Sequence, residues 1–256
     1  MSAHSDKAAR LTVEHLPTAP ASAVRLRFFQ TSCRPVHTTT AWIATPWGQC
    51  RVTGRIGQIH ANLIDTIMHT AERVFVEPAP DGRMQLLVDP YRVRQIIGGG
   101  RQYSYEGMCR HIDEIMGCMV EWETKVVRGK GHIIDSCVES KVTKSNPLGG
   151  RRGLWKITIG EAWTRLIRDD FSLYYDPAKV AGLRHGVSQA FARVVLSHDA
   201  KRWNKGGIKV STVFDWLGIQ TGQPRRKALF HIKSDSAGLA EIGFHIDDGY
   251  VKRGES

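Results

Sequence analysis

The sequence predicts an α+β fold made of two tandem winged helix-turn-helix domains, and three observations lead there. In the last quarter a short helical pattern, a turn and a basic second helix precede two short strands around Asp247-Asp248-Gly249. A similar order of helix, strand, helix, longer helix and β-ribbon with a basic tip occurs upstream, between Gly57 and Ile159. No fixed-period repeat is visible, so the pattern reads as two related domains rather than a solenoid.

Residues 1–40 carry Ala, Ser, Thr and Pro without sustained periodicity and are expected to form a flexible N-terminal arm, with order beginning near Trp42. The first domain is expected over 41–160. Gly57-Gln58 opens a helix with Ile59, Leu63, Ile67 and Ala71 on one stripe, and Met84–Val88 reads as a short strand. Asp89 caps and Pro90 starts a helix reaching Ile97, which the glycines at 98–100 break. A long helix over Ser104–Thr124 places Met108, Ile112, Ile115, Met116 and Met119 on one face. The alternating stretches Lys125–Arg128, His132–Val142 and Leu154–Ile159 read as strands, the last two joined by the turn-rich basic segment Lys144–Gly153.

The second domain is expected over 161–256. Ser211 is read as the cap of a helix bearing Val213, Phe214 and Leu217, and Gly218 stops it. Pro224 starts a second helix that runs to Ile242 and turns Leu229, Ile232, Ser236, Leu239 and Ala240 toward a core. Lys227, His231 and Ser234 point the other way, with Arg226 and Lys233 at the flanks. Phe244–Ile246 and Tyr250–Val251 close the module as a hairpin.

A net charge of +11 over 256 residues favours a polyanionic partner. The charge is uneven: Arg225 to Lys233 holds Arg225, Arg226, Lys227 and Lys233 and no acid, whereas Ser104–Thr124 is net acidic. The candidate DNA-contacting residues follow from that distribution. Arg225, Arg226 and Lys227 combine cationic side chains with a helix N-terminus suited to phosphate. His231, Lys233 and Ser234 lie further along the same helix, where His231 and Ser234 are candidates to reach base edges, with simple exposed polar residues as the alternative. Lys144, Arg151 and Arg152 mark the hairpin tip, with a solvated turn as the alternative; Lys252 and Arg253 follow the second hairpin, with a frayed basic tail as theirs. In the first domain only Arg101, Tyr103, Ser104 and Tyr105 suit DNA, because the acids further along would repel phosphate. That acidic helix, and Met84–Val88 as a strand edge open to pairing across a two-fold axis, point to a dimer interface there.

Enzymatic readings find little support. There is no His-x-His metal pair of a nicking enzyme and no phosphate-binding loop ending in Gly-Lys-Ser/Thr. The five cysteines form no CxxC pair and fit a reduced, cytoplasmic protein; no cofactor and no metal is expected. No apolar run approaches a membrane span, and no signal-type core opens the chain.

Four segments then carry a family resemblance: Leu154–Trp163, Leu173-Tyr174-Tyr175-Asp176-Pro177, Leu183–Ala190 and Gly57–Leu63. Over about residues 50 to 245 the chain resembles iteron-binding plasmid replication initiators of the TrfA type. The resemblance implies binding to short direct repeats at a plasmid origin, opening of adjacent AT-rich DNA, and recruitment of the host initiator and replicative helicase. It also implies dimerisation through the first domain, with monomers binding the repeats. The alternative is a winged-helix transcriptional regulator, which includes an autorepressor; a nicking-type rolling-circle initiator ranks third.

Overall fold

The computed structural model describes residues 14, 16–39, 41–77, 82–98, 102–125, 127–145, 149–198 and 206–254. It is an α+β molecule of small antiparallel sheets and helices. In chain order the elements of the first part are β1 (Ala19–Pro20), α1 (Ala21–Arg25), β2 (Thr38–Thr39), β3 (Ile43–Thr45), β4 (Gly48–Gly54), α2 (Gln58–Thr70), β5 (Ala71–Val76), β6 (Met84–Val88), α3 (Pro90–Ile97) and α4 (Tyr105–Met116). They continue as β7 (Met119–Thr124), β8 (Arg128–Gly131), β9 (Ile134–Ser145), β10 (Arg151–Ile159), α5 (Glu161–Asp169) and β11 (Ser172–Leu173). The remainder is α6 (Pro177–Ala181), α7 (Gly186–Leu196), β12 (Ile208–Lys209), α8 (Val210–Trp216), α9 (Gln223–Ser234), α10 (Ser236–Glu241), β13 (Phe244–Asp247) and β14 (Tyr250–Arg253).

Two paths through these elements match. The first runs α2, β6, α3, α4 and the β9–β10 hairpin; the second runs α7, β12, α8, α9 and the β13–β14 hairpin. In each the last strand lies in the middle, giving orders β6-β10-β9 and β12-β14-β13. In the first, β5 adds outside β6, and a second sheet forms from β2 and β3 on β4, then β7 and β8. The local reasons are those that the sequence supplies. The Asp89 carboxylate accepts from Tyr91 N–H at 3.0 Å, Pro90 opens α3, and Ser104 Oγ accepts from Gly107 N–H at 3.0 Å to start α4. Asp248 (φ 46°) and Gly249 (φ 75°) form a two-residue turn between β13 and β14, which needs positive φ at both positions.

One apolar core runs from Leu16 to Ile167, around Leu63, Ile67, Met108, Ile115, Trp122, Ile157 and Trp163. A second runs from Leu183 to Val251, around Phe191, Val195, Phe214, Ile232 and Phe244. The division expected after residue 160 therefore moves: Trp163, Leu166 and Ile167 of α5 belong to the first core.

The expected flexible arm is corrected over 16–39. Leu26 and Phe28 are fully buried, and Phe28 packs against Trp122 and Trp163 at 5.8 Å from each. β1 pairs with β11, and Thr18 Oγ1 donates to Tyr175 O at 2.9 Å, so this stretch is built in by long-range contacts that local periodicity does not register. Residues 1–13 lie outside the described residues.

Four further expectations change. The helix expected to reach Thr124 ends at Met116, because Gly117 caps it; Val120 and Trp122 then alternate as the buried side of β7. The helix expected to run from Pro224 to Ile242 breaks at Asp235, whose carboxylate turns inward to accept from His185 N–H at 3.0 Å and Arg184 N–H at 3.3 Å. Ser211 lies inside α8 rather than at its cap, which is Lys209. The Met84–Val88 strand is not an edge: β6 pairs with β5 on one side and β10 on the other, and Leu87 is buried. It has no open row of backbone groups to offer a second copy. The five cysteines are unpaired thiols, and no helix among the described residues is long and apolar enough to cross a membrane.

Candidate nucleic-acid interface

The α8–turn–α9 unit is set by its buried side. Val213 and Phe214 of α8 and Ala228 and Ile232 of α9 are buried, Leu217 follows, and Gly218 takes φ 69° to end α8. Arg225 then spans the turn: its Nε donates to Ile219 O at 3.0 Å and its Nη2 pairs with Asp215. It fixes α9 against α8, so Arg225 is a clamp rather than the DNA contact the sequence suggested.

With Ala228 and Ile232 inward, Arg226, Lys227, Phe230, Lys233 and Ser234 face out, and Phe230 is 70% exposed. Arg226, Lys227 and Lys233 have no ion pair among the described residues. Ser234 Oγ donates to His231 O at 2.7 Å. His231 is half-buried and lies on His185 with ring centres 4.0 Å apart, at the side of the outward face. Burial, His185 and Lys227 together push its pKa below the ordinary value, which keeps it neutral at pH 7. Lys252 reaches Asp247 across the hairpin at 2.6 Å, and Arg253 is exposed at the end of β14.

The first unit disposes of its candidates differently. Tyr103 O–H meets His111 Nε2 at 2.8 Å, Ser104 is the cap of α4, and Tyr105 lies edge-on to Trp155 at 5.6 Å with Arg94 over its ring at 5.9 Å. Arg152 pairs at 2.6 Å with Asp89, which is 1% exposed, and sits 4.7 Å over the Tyr91 ring. Its cation is committed to a buried carboxylate, so the hairpin-tip role expected for it is corrected. Lys144 lies in β9 and pairs with Glu72 at 2.5 Å, while Arg151 opens β10 and is exposed. Arg101 lies outside the described residues. On α4 the exposed residues are Tyr105, Glu106, Arg110 and Asp113.

Two buried polar sets were missed by the sequence reading. In one, Arg193 of α7 donates to Asp65 at 2.8 Å, Gln58 at 2.7 Å and Asn62 at 2.6 Å on α2, and Tyr175 O–H donates to Asp65 at 2.6 Å. The other joins His60, His111 and Glu114, whose ligand-type atoms lie within 4.8 Å of one another. Gly57 N–H donates to His60 Nδ1 at 3.1 Å, which leaves the proton on Nε2, 2.7 Å from Glu114 Oε2. His111 Nδ1 also meets Glu114 Oε2, at 2.8 Å. A metal ion on His60 Nε2 would put a proton on Nδ1 and turn it against the Gly57 donor, so the set fits a closed hydrogen-bond network better than an ion site. Burial pushes the His60 pKa down to about 4, against the Glu114 hydrogen bond that raises it. Burial works to raise the Glu114 carboxyl, but hydrogen bonds from His111 and His60 outweigh it and hold it below its ordinary value. Only the His111–Glu114 spacing of i, i+3 is visible locally; His60 joins from a distant helix.

No family model, curated protein or solved structure matches this chain.

Proposed function

We propose that the chain is a tandem winged-helix protein that binds double-stranded DNA, with α9 as the element entering the major groove. The observation that carries this reading is the outward face of α9, where Arg226, Lys227 and Lys233 surround an exposed centre without an acid among them. Cations at that spacing meet phosphates on either wall of a groove wide enough to admit a helix. The repeated element order and the shared strand order support assigning the same motif to both halves. The resemblance in Gly57–Leu63, Leu154–Trp163, Leu173–Pro177 and Leu183–Ala190 adds the biological role: a cytoplasmic plasmid replication initiator that binds repeated origin sequences, without covalent chemistry. The partners that follow are origin DNA, a second copy in a monomer–dimer equilibrium, the host initiator and the replicative helicase.

The test is selection of duplexes from a random-sequence pool by the purified chain, followed by footprinting on the plasmid or genome that carries its gene. Enrichment of a motif that recurs as direct repeats beside an AT-rich tract supports the initiator reading. A single inverted repeat over a promoter replaces it with a transcriptional regulator. Failure to enrich any duplex at low salt overturns DNA binding itself.

A further inference from the structure

Phe230 is the most exposed of the large apolar side chains on the described surface, at 70%, and it occupies the centre of the basic face of α9. Arg226 and Lys227 stand one turn before it, and Lys233 and Ser234 one turn after. Phe230 leaves an aromatic ring in water, although the neighbouring Ala228 and Ile232 show that the helix has a core side available. The cations around Phe230 select a partner whose surface is anionic at the rim and apolar at one point. The edges of base pairs in the major groove offer such a point: the 5-methyl group of thymine, flanked by phosphates.

We propose that Phe230 is a specificity-determining residue that packs on thymine methyl groups in the major groove. This rests on the assignment of α9 to DNA and names what the centre of that helix reads. The thymine methyl fits this place because the three flanking cations, Arg226, Lys227 and Lys233, complement the phosphates on either side of it.

The experiment uses the full-length chain and the duplex enriched from the random pool. Each thymine in the protected base pairs is replaced in turn by deoxyuridine, which removes only the methyl. At one or two positions affinity should fall by about four-fold, the value of one buried methyl-sized group. Phe230→Ala should bind the thymine duplex more weakly and lose the distinction at those positions, while Phe230→Leu should keep part of it. Because the side chain is exposed, both variants should keep the wild-type melting temperature. Three results would overturn the proposal: equal affinity for every deoxyuridine duplex, full methyl discrimination retained in Phe230→Ala, or an enriched site with no thymine in its protected pairs. Each leaves DNA binding standing, whereas failure to enrich any duplex removes the reading beneath it. A Phe230→Ala protein that retains methyl discrimination but loses a protein partner would reassign the side chain to that partner.

Discussion

Helices α4 and α9 hold the same place in two matching paths of elements, yet they present opposite surfaces. On α4 the exposed side is Tyr105, Glu106, Arg110 and Asp113; on α9 it is Arg226, Lys227, Phe230, Lys233 and Ser234. The difference extends inward. α4 is tied to α2 by the His60–Glu114–His111 set, and Arg152 of the first hairpin is spent on buried Asp89. In α9 one cation, Arg225, serves as the clamp and three stay outside. Equivalent position in a fold therefore does not carry equivalent chemistry: the charge on the outward face and what the other side chains hold decide it. Under the proposed function the first unit is the scaffold and the second the reader.

The comparison can be broken first at the joint between the two units. Arg193→Met removes the cation that holds Asp65, Gln58 and Asn62 and leaves a buried carboxylate with the Tyr175 hydroxyl but no counter-charge. We expect a loss of about 3–5 kcal/mol in thermal or urea unfolding. A loss under 1 kcal/mol would show that the two units do not depend on this pair.

Acid sharpens the contrast. His60 titrates near 4 in the fold and near 6.5 when unfolded, so between those values the unfolded chain binds more protons and stability falls as pH drops. The lowered Glu114 acts in the same direction: its contribution is present above the ordinary carboxylate value and is lost as pH falls through the folded one. The His60 contribution reaches about 3 kcal/mol at pH 4. Unfolding followed from pH 7 to 4 should show this slope, and His60→Gln should flatten it; an unchanged slope in the variant would assign the acid sensitivity elsewhere.

Arg152→Ala separates structure from binding within the first unit. It should cost about 1–3 kcal/mol of stability by leaving the buried Asp89 without its cation, with little change in DNA affinity. The smallest stability effect belongs to Arg226→Ala or Lys227→Ala. Each should shift unfolding by under about 0.5 kcal/mol, yet lower the salt slope of duplex binding by about one unit.

What was legible in the sequence was local. Asp89-Pro90, Gly218 and the Asp248-Gly249 turn each act on their own neighbours, and each falls where the pattern places it. What was not legible depends on partners far along the chain. Gln58, Asn62 and Asp65 look like a helix's polar surface until Arg193, 128 residues beyond Asp65, covers them. Leu16 and Phe28 lack local periodicity and are placed by the core they enter. Asp235 looks like a mid-helix polar residue and instead ends α9, because its carboxylate accepts from the backbone at the start of α7. Phe230 was within reach of the sequence, since it follows Arg226 by four positions and Lys227 by three; its exposure was not.

The division between scaffold and reader is tested most directly by paired charge reversal. Lys227→Glu and Arg110→Glu place the same new charge on the exposed faces of α9 and α4, both at positions outside the cores. Titration of both proteins with the enriched duplex, at two salt concentrations, should show affinity lowered by about ten-fold or more for Lys227→Glu. For Arg110→Glu the change should stay within about three-fold, as expected of a charge that meets no phosphate. An equal or larger loss from Arg110→Glu would contradict the assignment and make α4 a DNA-contacting helix as well.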